Sequence, residues 1–169
     1  YRMITLGQPP SAAGFENKID GHFFRPPVCD DNFVNGNIGS DQILVRGGKG
    51  QYLGGSEGDI FIAYGGEENF VYGQKGDDQI HVRGGFGTYS GGDGNDYISV
   101  EGAITSGTLV NGNDGKDVVT GKVAGVTYRG GADDDELAVS QGDVWGDQGD
   151  DIFTGRTGDG YAVIHDYSV

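Results

Sequence analysis

Seven aspartates recur along this chain at Asp41, Asp59, Asp78, Asp96, Asp117, Asp135 and Asp151, separated by 18, 19, 18, 21, 18 and 16 residues. Each closes a glycine-rich turn, and five places before each stands a glycine: Gly36, Gly54, Gly73, Gly91, Gly112, Gly130 and Gly146. Glycine lets a turn adopt positive φ and lets backbone carbonyls converge, while the aspartate adds a hard anionic oxygen. Carbonyl and carboxylate oxygens in a flexible loop suit Ca²⁺, which takes about six to eight oxygens, better than Mg²⁺, which demands a strict octahedron. His22, His81, His165 and Cys29 occupy no fixed repeat position, so the pattern gives zinc no support. The seven aspartates and seven glycines are therefore the candidate metal ligands, and no catalytic set is expected. A catalytic acid should break a repeat, whereas paired acids such as Asp77-Asp78 and Asp150-Asp151 make this one.

The elements that must carry these turns follow from the same alignment. Two places after each Asp stand Ile43, Phe61, Ile80, Ile98, Val119, Leu137 and Phe153, and seven places before stand Val34, Tyr52, Val71, Tyr89, Val110, Tyr128 and Val144. Apolar residues alternating with polar ones mark strands. Two strands and two turns make one coil of about 18 residues, and seven such coils stacked at roughly 4.8 Å give a rod of about 34 Å. No coil can bury its apolar face alone, so stacking makes the core. The expected fold is an all-β, right-handed parallel β-roll or β-solenoid.

Composition agrees. Glycine supplies 35 of 169 residues, and 20 of the 26 acids are Asp rather than Glu, both poor helix formers. Four prolines and no three-residue period exclude collagen, and 18 aromatic residues with 35% hydrophobic content argue against disorder. A net charge of -15 disfavours nucleic acid and anionic membrane as partners and suits divalent cations. No apolar run reaches the roughly 20 residues of a membrane span. Residues 1–33, with all the prolines and Cys29, read as an N-terminal cap or linker, 34–160 as the repeat array, and 161–169 as a terminal strand or the start of a C-terminal cap. A first residue other than Met and an abrupt end give the expectation that the chain is a piece of a longer protein.

The segments GGDGNDYIS and GQKGDDQIH resemble the nonapeptide G-G-x-G-x-D-x-U-x of RTX (repeats-in-toxin, haemolysin-type) calcium-binding proteins. The resemblance covers roughly 34–160. It implies a bacterial protein exported by a type I route, secreted or displayed on the cell surface, folding as several calcium ions bind between adjacent coils. Two departures qualify the likeness. Only one of the two turns in each coil is acidic, so calcium is expected along one edge, and Glu57 and Asp133 replace the fourth-position glycine. The 21-residue step after Asp96 should bulge outward across Glu101–Gly107 on the non-acidic side. The functional expectation is a calcium-binding structural module serving as scaffold or adhesive, with other protein chains or a cell-surface polysaccharide as further partners. Two alternatives stand beside it: an accessory calcium module of a larger secreted hydrolase, lyase or epimerase, and a metal-free structural β-solenoid subunit of a larger assembly, held by an aspartate turn ladder.

A finer period also appears. The residue seven before each Asp alternates Val and Tyr, and the residue four before runs Asn37, Gly55, Gln74, Gly92, Asn113, Gly131, Asp147. Large and small core residues should interleave, with side chains at alternate turns adding a ligand or a bridging hydrogen bond.

Overall fold

A computed structural model describes residues 31–155 and 160–166, together with the backbone of 16–18 and 23–24. The expected N-terminal cap, Cys29 and the ends of the chain fall largely outside the described residues. Seven long strands, Asn32–Ile38, Gly50–Ser56, Asn69–Lys75, Gly87–Asp93, Thr108–Asp114, Val126–Ala132 and Gly142–Gln148, lie side by side in one parallel sheet. Seven shorter ones, Gln42–Val45, Ile60–Ala63, Gln79–Gly85, Tyr97–Ile104, Val118–Gly121, Glu136–Val139 and Ile152–Phe153, form the facing parallel sheet. The described residues contain no helix. The protein is a parallel β-solenoid of about seven coils of about 18 residues.

Both apolar ladders form in the register that the alignment requires. Val34 pairs with Tyr52, Tyr52 with Val71, and so on through Tyr89, Val110, Tyr128 and Val144. On the facing sheet Ile43, Phe61, Ile80, Ile98, Val119, Leu137 and Phe153 stack in the same way. All but the terminal Phe153 are buried. Each such side chain contributes about 1.5–3 kcal/mol by leaving water.

The interleaving of Tyr and Val needs compensating space, and glycine supplies it. A Cβ on Gly121 or Gly142 would overlap the Tyr128 ring, and one on Gly50 would meet the Tyr52 hydroxyl. Both sheets also extend beyond the seven repeats. The backbone of 16–18 and 23–24 pairs with the first long and short strands, and Ala162–Ile164 adds to the last long strand. The expected bulge is present. Pairing between the third and fourth short strands shifts register between Val100 and Ala103, leaving Glu101, Gly102 and Ala103 exposed.

Candidate functional site

Between the long and short strand of each coil the chain turns through the acidic seam. Asp41, Asp59, Asp78, Asp96, Asp117 and Asp135 are 0–2% exposed, and Asp151, at the last turn, is half-buried. Their carboxyl groups do not line an outer edge. They lie under the turns, at the margin of the apolar core.

Each carboxylate ties its coil to the one before. The Asp41 N–H donates to Oδ1 of Asp59 at 2.7 Å, the Asp59 N–H to Asp78 at 2.7 Å, and the Asp78 N–H to Asp96 at 2.8 Å. Asp96, Asp117 and Asp135 continue the series onto Asp117, Asp135 and Asp151 at 2.7, 2.8 and 3.0 Å. A hydrogen bond contributes about 0.5–1.5 kcal/mol net, and about 1.5–3 where the acceptor is ionised, so six of them in series are a principal lock on the coil spacing.

The second oxygen has a different environment. In Asp59, Asp78, Asp96, Asp117 and Asp135, Oδ2 is buried and accepts no hydrogen bond. It rests against the glycine five residues earlier in its own coil, at the place where a Cβ would stand. Beside Gly54, Gly73, Gly112 and Gly130 that same space is also bordered by a carbonyl oxygen of the following coil, from Gly73, Gly91, Gly130 and Gly146 respectively. A carboxylate oxygen and a carbonyl oxygen thus border the same space, and an unpaired buried carboxylate oxygen is costly unless a proton or a cation reaches it.

Electrostatics point the same way. Burial pushes the carboxyls of Asp78 and Asp117 up to about 8, those of Asp59 and Asp135 to about 7, and that of Asp96 to about 6. The donated N–H of the preceding aspartate opposes the shift, and neighbouring carboxylates add to it. Desolvation disfavours the charged form and is the leading cause.

The seven glycines are all buried, for a reason other than the expected one. The left-handed residues of each turn lie four and two before the Asp, as in Gly55 with φ 121° and Gly76 with φ 111°, not five before. The glycine five before is required because the carboxylate occupies its side-chain space. Where the left-handed positions carry side chains the conformation persists: Glu57 has φ 77° and Asp133 φ 73°, and Asn37, Gln74, Asn113 and Asp147 do the same. Of the alternating side chains, Asn37 bonds Asn35 in its own strand, while Asn113 and Asp147 bridge to the preceding coil. Asn113 Nδ2 donates to Ser90 Oγ of the preceding coil, and Asp147 pairs with Arg129.

A second ladder went unrecognised in the repeat. Asp77 Oδ1 accepts from the Asn95 N–H at 2.8 Å, Asn95 Oδ1 from the Lys116 N–H at 2.9 Å, and Asp134 Oδ1 from the Asp150 N–H at 3.1 Å. It is exposed and runs opposite in sense to the buried one. Its signal was readable as Asp or Asn immediately before the anchoring Asp in four of the seven copies.

Among the described residues no three side chains of His, Cys, Asp or Glu cluster as a metal site. The donors a cation would meet in the seam are buried carboxylate oxygens and glycine carbonyls. That set fits a hard, oxygen-seeking ion in kind. No family model matches the chain, and neither curated proteins nor solved structures gave a match.

Proposed function

We propose that the protein is a calcium-binding structural β-solenoid of the RTX kind, in which Ca²⁺ completes the acidic seam. The observation that carries this reading is the set of buried Oδ2 atoms without a hydrogen bond, four of them bordered by a glycine carbonyl of the next coil. Asp59, Asp78, Asp96, Asp117 and Asp135 would hold the ions with the carbonyls of Gly73, Gly91, Gly130 and Gly146, and Asp41 and Asp151 would hold them at the ends. Bound calcium supplies positive charge that lets buried carboxylates stay ionised. Each site contributes about 2.7 kcal/mol to folding when calcium is at 100 times its dissociation constant. Such sites fill where calcium is abundant, which suits a secreted or cell-surface scaffold.

A metal-free reading has an observation of its own. With Oδ1 already held by a backbone N–H, a protonated Oδ2 could donate to the neighbouring carbonyl and satisfy both acceptors. Thermal unfolding followed by circular dichroism separates the two. On the calcium reading the melting temperature at pH 7.5 rises steeply with Ca²⁺, responds weakly to Mg²⁺, and collapses in EDTA. Equal melting temperatures in calcium and EDTA would leave the metal-free solenoid standing.

A further inference from the structure

We propose that a trough on the outer face of the short-strand sheet binds a neutral, polyhydroxylated glycan chain lying along the solenoid axis. The trough has a volume of about 590 Å³ and runs from His81 in the third coil to Thr154 in the seventh. Four steps of roughly 4.8 Å make it about 19 Å long, the reach of a short oligosaccharide rather than of one ring.

Its chemistry comes from three parallel columns. Parallel pairing puts Ser99 beside His81, Thr120 beside Ser99, and Ala138 beside Thr120, so the floor is hydroxyl-rich and leaves room above the small Ala138. One wall is formed by Tyr97, 39% exposed, and by Glu136 two coils on. The other wall is Glu101 and Lys122, with Nζ 3.8 Å from Oε2. Glu101 continues the outward-facing alternation of Tyr97 and Ser99 and stands at the register shift between Val100 and Ala103. The bulge that the 21-residue step produces thus borders the trough at Glu101.

A sugar chain asks for an aromatic face to cover its C–H groups and for hydroxyl, carboxylate and imidazole groups to meet its own hydroxyls. Tyr97 supplies the first, tilted against His81 with ring centroids 5.8 Å apart. Ser99, Thr120, Glu136 and His81 supply the second. His81 Nδ1 lies 2.8 Å from Ser99 Oγ, and burial holds the imidazole below its usual range, with Arg83 adding to this, so the ring is neutral and can both donate and accept. Other occupants fit less well. Glu101 and Glu136 repel a polyanion, a hydroxyl floor does not take an acyl chain, and a peptide adding as a strand needs a sheet edge rather than a face.

The test is titration of the folded, calcium-supplemented protein with cellotetraose, maltotetraose and chitotetraose, read by NMR shifts of the backbone amides. The expected result is that at least one tetrasaccharide binds, with shifts confined to coils three to seven on this face. Ala138→Arg fills the floor without touching the core and should abolish binding while leaving the circular dichroism unchanged. Tyr97→Ala should weaken binding by up to roughly tenfold, the size of one aromatic contact. Failure of all three sugars to shift these amides, or binding that survives in A138R, overturns the proposal.

Discussion

The two rows of turns in this solenoid solve the same geometric problem in opposite ways. From the ladder residue to its anchoring Asp the acidic seam spans seven positions in every coil. From that Asp to the next ladder residue the other seam varies from nine positions, Asp135 to Val144, to fourteen, Asp96 to Val110. All the irregularity of the repeat falls on one side. The acidic turn is held by an internal hydrogen-bond ladder, a carboxylate in a glycine's side-chain space and two left-handed residues, so a single insertion would break three constraints at once. The opposite turn is tied by backbone hydrogen bonds, such as the Glu67 N–H to the Gly48 carbonyl and the Thr105 N–H to that of Gly85, and by surface ion pairs such as Lys49–Glu68 and Lys122–Glu101, with no buried carboxylate ladder to fix its length. Regularity marks where the chain is constrained from inside, and irregularity marks where it is free to acquire a surface feature.

The sharpest break of this contrast is one substitution in each seam. Gly73→Ala would drive a methyl group onto Asp78 Oδ2 and the Gly91 carbonyl, at less than 3.0 Å from both. The expected loss is about 3 kcal/mol, at the upper end of what overpacking costs, and urea unfolding measures it. Gly107→Ala, across the barrel of the coil, meets nothing within 4 Å and suffers only from its φ of 93°, a cost of about 1–2 kcal/mol. If the two variants lost equal stability, the acidic seam would not be the more constrained one.

The next effect is a reversal of sign with pH. The buried carboxyls of Asp59, Asp78, Asp117 and Asp135 sit near 7–8 in the folded chain against an ordinary 3.8. Between those values the folded state binds more protons than the unfolded one, so without metal the stability must fall as pH rises from about 4 to 8. Calcium favours the ionised form and should flatten or invert that slope. Asp117→Asn keeps an oxygen for the Asp96 N–H and places an amide donor toward the Gly130 carbonyl. In EDTA at pH 8 it should gain about 1 kcal/mol, and in calcium it should lose stability. A variant weaker in both media would mean that Asp117 is needed for its charge even without metal.

Coil number, strand order and both core ladders were legible because period-two apolarity and a fixed Asp register report the inside of the solenoid directly. Val34 through Val144 and Ile43 through Leu137 follow from spacing alone. The acidic site was legible in its residues but not in its form. Nothing in a string of letters tells that the Asp78 carboxylate turns inward to fill the space beside Gly73, since that depends on where the next coil's carbonyl falls. Spacing marks Gly73 as part of the candidate site, and the structure adds that its missing side chain leaves the space the Asp78 carboxylate fills. The trough was half visible: the 21-residue step announced a bulge, while the column of His81, Ser99 and Thr120 beneath it looked like an undistinguished mixed surface.

A smaller gain is expected from repairing the two irregular acidic turns. Glu57 and Asp133 hold left-handed conformations at a position where five other coils use glycine. Glu57→Gly should raise stability by about 1 kcal/mol by removing the clash of Cβ with the backbone, and Asp133→Gly should do likewise. If Glu57→Gly destabilised the protein instead, the Glu57 side chain would be contributing to the seam in a way that its exposure does not suggest.

The smallest effect belongs to the opposite seam. Lys49 and Glu68 meet as an exposed ion pair between adjacent coils, with more than half of each side chain in water. The Lys49 ammonium beside Glu68 holds that carboxyl below its usual range, yet solvent and salt screen such a pair, and ordering two long side chains offsets most of its attraction. Lys49→Ala should leave the melting temperature unchanged within error at physiological ionic strength, in calcium and in EDTA alike. A clear loss confined to low salt would show that the pair acts only through unscreened charge. A loss persisting at high salt would show that the irregular turns, too, hold the coils together, and the division of labour between the two seams would have to be redrawn.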